Sequence, residues 1–233
     1  MATIVLVHGA FADSDSWSGV IEPLRVEHRV IAYANPLRGI EYDAAPLTDL
    51  IKTIDGPIIL AGHSYGGAVM TAVDAAAGSI VGLVYVAGFA LEQGESPATA
   101  SALAPGSTLA DTLVEVPLHD GGVDLYIDQS KYWKQFCADL GEDQASMMAV
   151  TQRPVTGAGL NDPLGTNALW QSVPSWFVFG ENDRNIPAGA HHVMAARAGA
   201  RETVQVAGAS HVVGISHPDE VVRLIRKAAS SVQ

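Results

Sequence analysis

The stretch Pro57–Val73, PIILAGHSYGGAVMTAV, decides how the chain is read. It opens on an apolar run, Pro57 to Ala61, passes through Gly62-His63-Ser64-Tyr65-Gly66-Gly67, and continues into the helix-like Ala68 to Val73. A serine on a sharp strand-to-helix turn needs small neighbours two residues to either side, because the turn brings backbones too close for side chains. Gly62 and Gly66 supply them. The helix start behind the serine aims N–H groups and a partial positive charge at the place where an oxyanion would form. In a Gly-rich chain GxSxG alone is a weak signal, and the strand before it and helix after it make it specific. Ser64 is the candidate nucleophile.

Working outward, apolar runs rich in β-branched residues recur at Thr3–Val7, Arg29–Ala34, Ile80–Ala87, Ser175–Phe179 and Arg201–Val206. They are near-continuously apolar, as strands buried on both faces are. Helix-like stretches alternate with them: Ser16–Glu27, Asp43–Thr53, Gly67–Ala77, Ala188–Gly199 and Pro218–Ala229. Ser216, with Pro218 and Asp219 after it, reads as the cap of the last one. The pattern predicts an α/β fold with a mostly parallel sheet of about six strands and helices on both faces.

One stretch breaks the rhythm. From Leu91 to Trp170 comes a polar Ala/Ser/Pro segment, then Thr112–Asp128 around the turn signal His119-Asp120-Gly121-Gly122. Two short helical patterns follow, Ser130–Leu140 and Glu142–Thr151. About 80 residues are too many for a connecting loop. The expected organisation is a core of residues 1–90 and 171–233 carrying a cap inserted at 91–170.

A nucleophilic serine needs a base and an orienting carboxylate. His211, in Gly208-Ala209-Ser210-His211, follows the last strand at the sheet's C-terminal edge, where sites of open α/β sheets collect. It is the preferred base, with His217 the alternative. The segment Gly180-Glu181-Asn182-Asp183-Arg184-Asn185-Ile186-Pro187 places carboxylates past the penultimate strand; Asp183 lies farther into the loop, and Glu181 stays open as the acid. The turn His8-Gly9-Ala10-Phe11 should supply one oxyanion donor, the Ala10 amide or alternatively that of Phe11, and Tyr65 the other. His8 itself reads as structural. A substrate pocket is expected among Phe11, Trp17, Phe89, Leu91, Tyr126, Trp133, Phe136, Met147, Met148 and Trp170.

Composition narrows the rest. The chain is 48% hydrophobic and 16% charged, enough to form a core, and its 13 basic against 25 acidic residues leave a net charge of −12. Such a surface repels phosphate backbones and anionic lipid, so neither nucleic acid nor membrane is an expected partner. Cys137 is the single cysteine, and there is no Cys pair or HExxH spacing, so neither a metal nor another cofactor is expected. The start, MATIVLVHGA, has no basic residue before its apolar run and reads as strand and turn; the default location is cytoplasmic. The oligomeric state is not legible.

The motifs VLVHGAF, AGHSYGG, FGENDRNIP and GASH stand in order over residues 4 to 211, and together the chain resembles the α/β-hydrolase fold. Trp17 and the acid loop resemble the compact branch that includes plant methylesterases, hydroxynitrile lyases and bacterial esterases. The resemblance implies a Ser64, Asp183, His211 triad, a small uncharged ester as substrate and a cap that sets specificity. The lyases carry a lysine after the catalytic histidine, and here that position is Val212, which favours ester hydrolysis. Lactone hydrolysis, carbon–carbon cleavage, perhydrolysis, hydroxynitrile cleavage or a slow-turnover ligand receptor remain open on the same triad.

Overall fold

Strands that are near-continuously apolar have no solvent side, and in the computed structural model of the chain they form the centre of a single parallel sheet. The structure describes residues 1–119, 121–166 and 168–231; Asp120 of the turn signal lies outside them. The strands are β1 (Thr3–Val7), β2 (Arg29–Tyr33), β3 (Ile58–His63), β4 (Ile80–Val86), β5 (Leu113–Pro117), β6 (Val123–Ile127), β7 (Val155–Thr156), β8 (Ser175–Gly180) and β9 (Glu202–Val206). Six of them make the main sheet in the order β2-β1-β3-β4-β8-β9, all pairs parallel. β1, β3 and β8 are buried at every position, which requires layers on both faces. The edge strand β9 is half exposed, with Thr203 and Gln205 outward.

Helices Ser18–Leu24 and Pro218–Ser230 pack against each other, the latter also against β4 and β8. Helices Ile40–Lys52 and Tyr65–Thr71 form a second pair, with the latter on β3 and β1. Pro218 begins the last helix, but Ser216 does not cap it. Ser216 closes the short helix Val213–Ser216, and its hydroxyl pairs with His217 Nδ1. Cys137 is buried, and burial pushes its thiol up to about 12.

Between β4 and β8 the chain forms a second, antiparallel sheet, β5-β6-β7, with helices Pro97–Ser101, Gln129–Phe136, Glu142–Thr151 and Gly157–Asn161. Trp170 Nε1 donates to the Leu91 carbonyl at 2.9 Å and ties the two ends of this excursion together. Arg38 holds it to the core, pairing with Asp124 at 2.7 Å and donating to the Pro154 carbonyl. The loops therefore meet over the C-terminal ends of β1, β3 and β8. Among the described residues no helix is long and apolar enough to cross a membrane.

Candidate active site

Ser64 sits between β3 and helix Tyr65–Thr71 at φ 51°, ψ −122°, a left-handed conformation that costs a non-glycine residue about 1–3 kcal/mol. Three backbone bonds hold it there: its N–H to the Val86 carbonyl, and its carbonyl from the Gly67 and Phe89 amides. A Cβ at Gly62 would lie 2.7 Å from the Gly66 carbonyl; one at Gly66 would lie 2.7 Å from the His8 carbonyl and closer still to that of Val7. Only glycine lets the turn approach β1 this closely.

The loop after β8 brings Asp183, rather than Glu181, to His211. His211 Nδ1 donates to Asp183 Oδ2 at 2.7 Å, while Asp183 Oδ1 accepts the Asn185 and Ile186 amides at 2.8 and 2.9 Å. Burial works against the Asp183 carboxylate, but the neighbouring His211 and His191 outweigh it and hold the carboxyl below the usual range. Glu181 is exposed and accepts the Gly208 amide. His217 is half exposed, with Nδ1 on the Ser216 hydroxyl and 4.0 Å from Asp139.

Because the carboxylate accepts only, His211 carries its proton on Nδ1 and turns a lone pair outward on Nε2. That nitrogen is buried and has no hydrogen-bond partner, Ser64 included, among the described residues. Ser64 and His211 nevertheless line one cavity of about 430 Å³. Hydrogen bonds at such sites often tighten only when substrate is bound.

At the β1 turn, the Phe11 N–H is committed to the Arg153 carbonyl at 2.9 Å, which leaves the Ala10 amide as the donor of that turn; Ala10 and Tyr65 both line the cavity. Phe11 itself has φ 60°. The Tyr65 side chain turns away and donates to buried Asp43 at 2.8 Å. His8 accepts the Asn35 amide on Nε2, and burial lowers it to about 4; His63 bonds the His211 carbonyl, and burial lowers it to about 3. Both are neutral supports for the turns.

Of the expected pocket residues, Phe11, Phe89 and Phe136 line the cavity; Trp17, Tyr126, Trp133 and Met148 do not. Trp17 is buried edge-on against His63. Tyr126 falls on the other face of β6 from Val123 and Leu125, which do line the cavity. Trp133 Nε1 donates to the Leu140 carbonyl, and Met147 and Met148 line a separate groove with Gln144 and Ser16. Leu91 and Trp170 serve as the staple described above. The cavity walls come instead from Leu109, Leu113, Val123, Leu125 and Leu160, with Ser101, Ser107, Glu115, Asn161 and Asn185 as polar groups among them.

Three residues of the site have no role assigned from the sequence: His191, which reads as part of a helical pattern, Asn185 of the acid-loop segment, and Gln135. His191 Nε2 reaches Asp183 Oδ2 at 3.3 Å from the first turn of helix Ala188–Arg197, its ring stacked on Phe179. Gln135 and Asn185 bond each other at 2.8 Å beside the acid loop. The signal available was proximity: the helix begins five residues after Asp183, so a first-turn histidine faces back toward it. Among the described residues no group of three or more His, Cys, Asp or Glu is placed to hold a metal ion.

The chain is 24% identical to the alpha/beta hydrolase nvfD of Aspergillus novofumigatus, covering 97% of this chain and 96% of that one. It is 27% identical to norfluorocurarine synthase 2 of Strychnos, covering 98% and 95%. The crystal structure of polyneuridine aldehyde esterase superposes with a TM-score of 0.79 at 18% identity, over 98% of this chain and 99% of that one. Residues 4–224 match the model of the alpha/beta hydrolase family, and the chain belongs to that family.

Proposed function

We propose that the chain is a serine hydrolase that cleaves small, largely uncharged carboxylic esters through an acyl-enzyme on Ser64. The observation that carries this reading is the 2.7 Å bond from His211 Nδ1 to Asp183, which leaves the Nε2 lone pair free in the cavity that holds Ser64. His211 takes the Ser64 proton as the hydroxyl attacks the carbonyl, Asp183 steadies the imidazolium, and the Ala10 and Tyr65 amides receive the oxyanion. The tetrahedral intermediate collapses as His211 gives that proton to the departing alcohol, and the neutral imidazole then takes a proton from the water that releases the acid and restores Ser64. Segment 91–170 acts as the cap. The cavity lining carries no Lys or Arg and does carry Glu115, which disfavours anionic substrates.

The test is a panel of p-nitrophenyl esters of graded acyl length, one lactone and one cyanohydrin, on wild type and Ser64→Ala. Turnover of the short esters that vanishes in Ser64→Ala is expected. Ester turnover that survives Ser64→Ala, or turnover of the lactone or cyanohydrin alone, would overturn the esterase reading.

A further inference from the structure

Asn185 is 3% exposed and stands on the wall of the cavity that contains Ser64 and His211. Its amide orientation is set by its neighbours. Gln135 Nε2 donates to the Arg184 carbonyl at 3.0 Å, and a carbonyl can only accept, so Gln135 presents its NH2 group to Asn185. Asn185 must answer with oxygen, and its Oδ1 accepts at 2.8 Å. The Thr108 hydroxyl closes the arrangement by donating to Gln135 Oε1 at 2.8 Å.

Asn185 Nδ2 is therefore a donor, and it is buried with no partner among the described residues. Buried amides in folded proteins nearly always find one. The backbone around it is held on both sides, by the Asn185 N–H to Asp183 Oδ1 and the Ser107 hydroxyl to the Asn185 carbonyl. Leu113, Val123 and Leu125 of the lining have no acceptor side chain, while Ser101, Ser107, Glu115 and Asn161, which do, make no hydrogen bond to Asn185 Nδ2. A fixed, unpaired donor in a cavity wall rewards a ligand that brings an acceptor and penalises the analogue that lacks it.

We propose that Asn185 Nδ2 is a substrate-binding donor, and that the substrate carries a second acceptor oxygen (ether, hydroxyl or carbonyl) besides the ester group. This rests on the serine-hydrolase reading above. It goes further by assigning a specificity residue and a feature of the substrate.

The test uses ester series in which each methylene of the acyl or the alkoxy chain is replaced in turn by an ether oxygen. Each rate is divided by that of uncatalysed hydrolysis, for wild type, Asn185→Leu and Asn185→Asp. Wild type is expected to prefer one oxygen position over the all-carbon ester by about tenfold or more in kcat/KM, and both variants to lose that preference. Asn185→Asp keeps an oxygen for Gln135 while removing the donor, so it serves even if Asn185→Leu fails to fold. A wild-type ratio within about twofold at every position, or a preference that survives in both variants, overturns the proposal.

Calorimetric binding of matched methyl ketones, with and without the oxygen, to Ser64→Ala separates the two readings. A preference for the oxygen-bearing ketone without any ester turnover upholds Asn185 and sinks the esterase. Ester turnover with equal ketone binding, or with none, does the reverse.

Discussion

His191 Nε2 stands 3.3 Å from Asp183 Oδ2, the same carboxylate oxygen that accepts His211 Nδ1. One buried oxygen thus serves two imidazoles, and His191 limits how far the carboxylate can rotate away from His211. Burial keeps His191 neutral by lowering its pKa, so it acts as a donor rather than as a competing cation. Asp183→Asn should lower kcat on a p-nitrophenyl ester about 10⁴-fold, by favouring the wrong His211 tautomer. His191→Phe should cost about tenfold, the equivalent of one lost hydrogen bond to a charged group. His191→Gln should recover part of that loss. Equal losses for Asp183→Asn and His191→Phe in steady-state kinetics would contradict this ranking.

Gly66 is the position at which the serine turn tolerates least. Its Cβ would enter the carbonyls of Val7, the last residue of buried β1, and of His8 just after it, backbone atoms that cannot move aside. Gly66→Ala should destabilise the fold by about 3 kcal/mol or more, measured by urea unfolding. A loss below about 1 kcal/mol would mean that the turn is looser than its geometry indicates.

The relocated cavity walls make a selectivity prediction. Leu125 faces the cavity and Met148 a separate groove. Leu125→Trp should shift the preferred acyl chain to shorter lengths, while Met148→Trp should leave the chain-length profile in place. The reverse outcome would return Met148 to the substrate pocket.

Acid should unfold the protein through its buried neutral histidines. Burial holds His8 at about 4 and His63 at about 3, against about 6.5 in the unfolded chain. The unfolded state therefore binds protons first as pH falls. The stability these groups contribute is whole above pH 6.5 and drains away toward pH 4. Urea titrations over that range should show stability falling by about 1 kcal/mol per pH unit for each such histidine. A flat profile would mean that these rings are protonated in the folded state.

The central strands are legible in the sequence because burial on both faces favours near-continuous apolar runs, as in β1, β3 and β8, whereas the edge strands β2 and β9 are partly exposed. Which residues of the excursion face the cavity is not legible. In Val123–Ile127 the chain alternates Val123, Asp124, Leu125, Tyr126, Ile127, and an aromatic on the wrong parity looks as good a lining residue as Leu125. Ser216 carries the marks of a helix cap, yet a short helix ending at Ser216 uses it first. His191 and Asn185 escape notice because their roles depend on Asp183 and Gln135, partners that only the folded loop brings within reach.

Covalent capture shows directly whether Ser64 is the nucleophile. Intact-mass spectrometry after treatment with a fluorophosphonate ester should show one adduct per chain, mapping to the peptide that contains Ser64 and absent from Ser64→Ala. An unlabelled wild type, or an adduct retained in Ser64→Ala, would contradict the account.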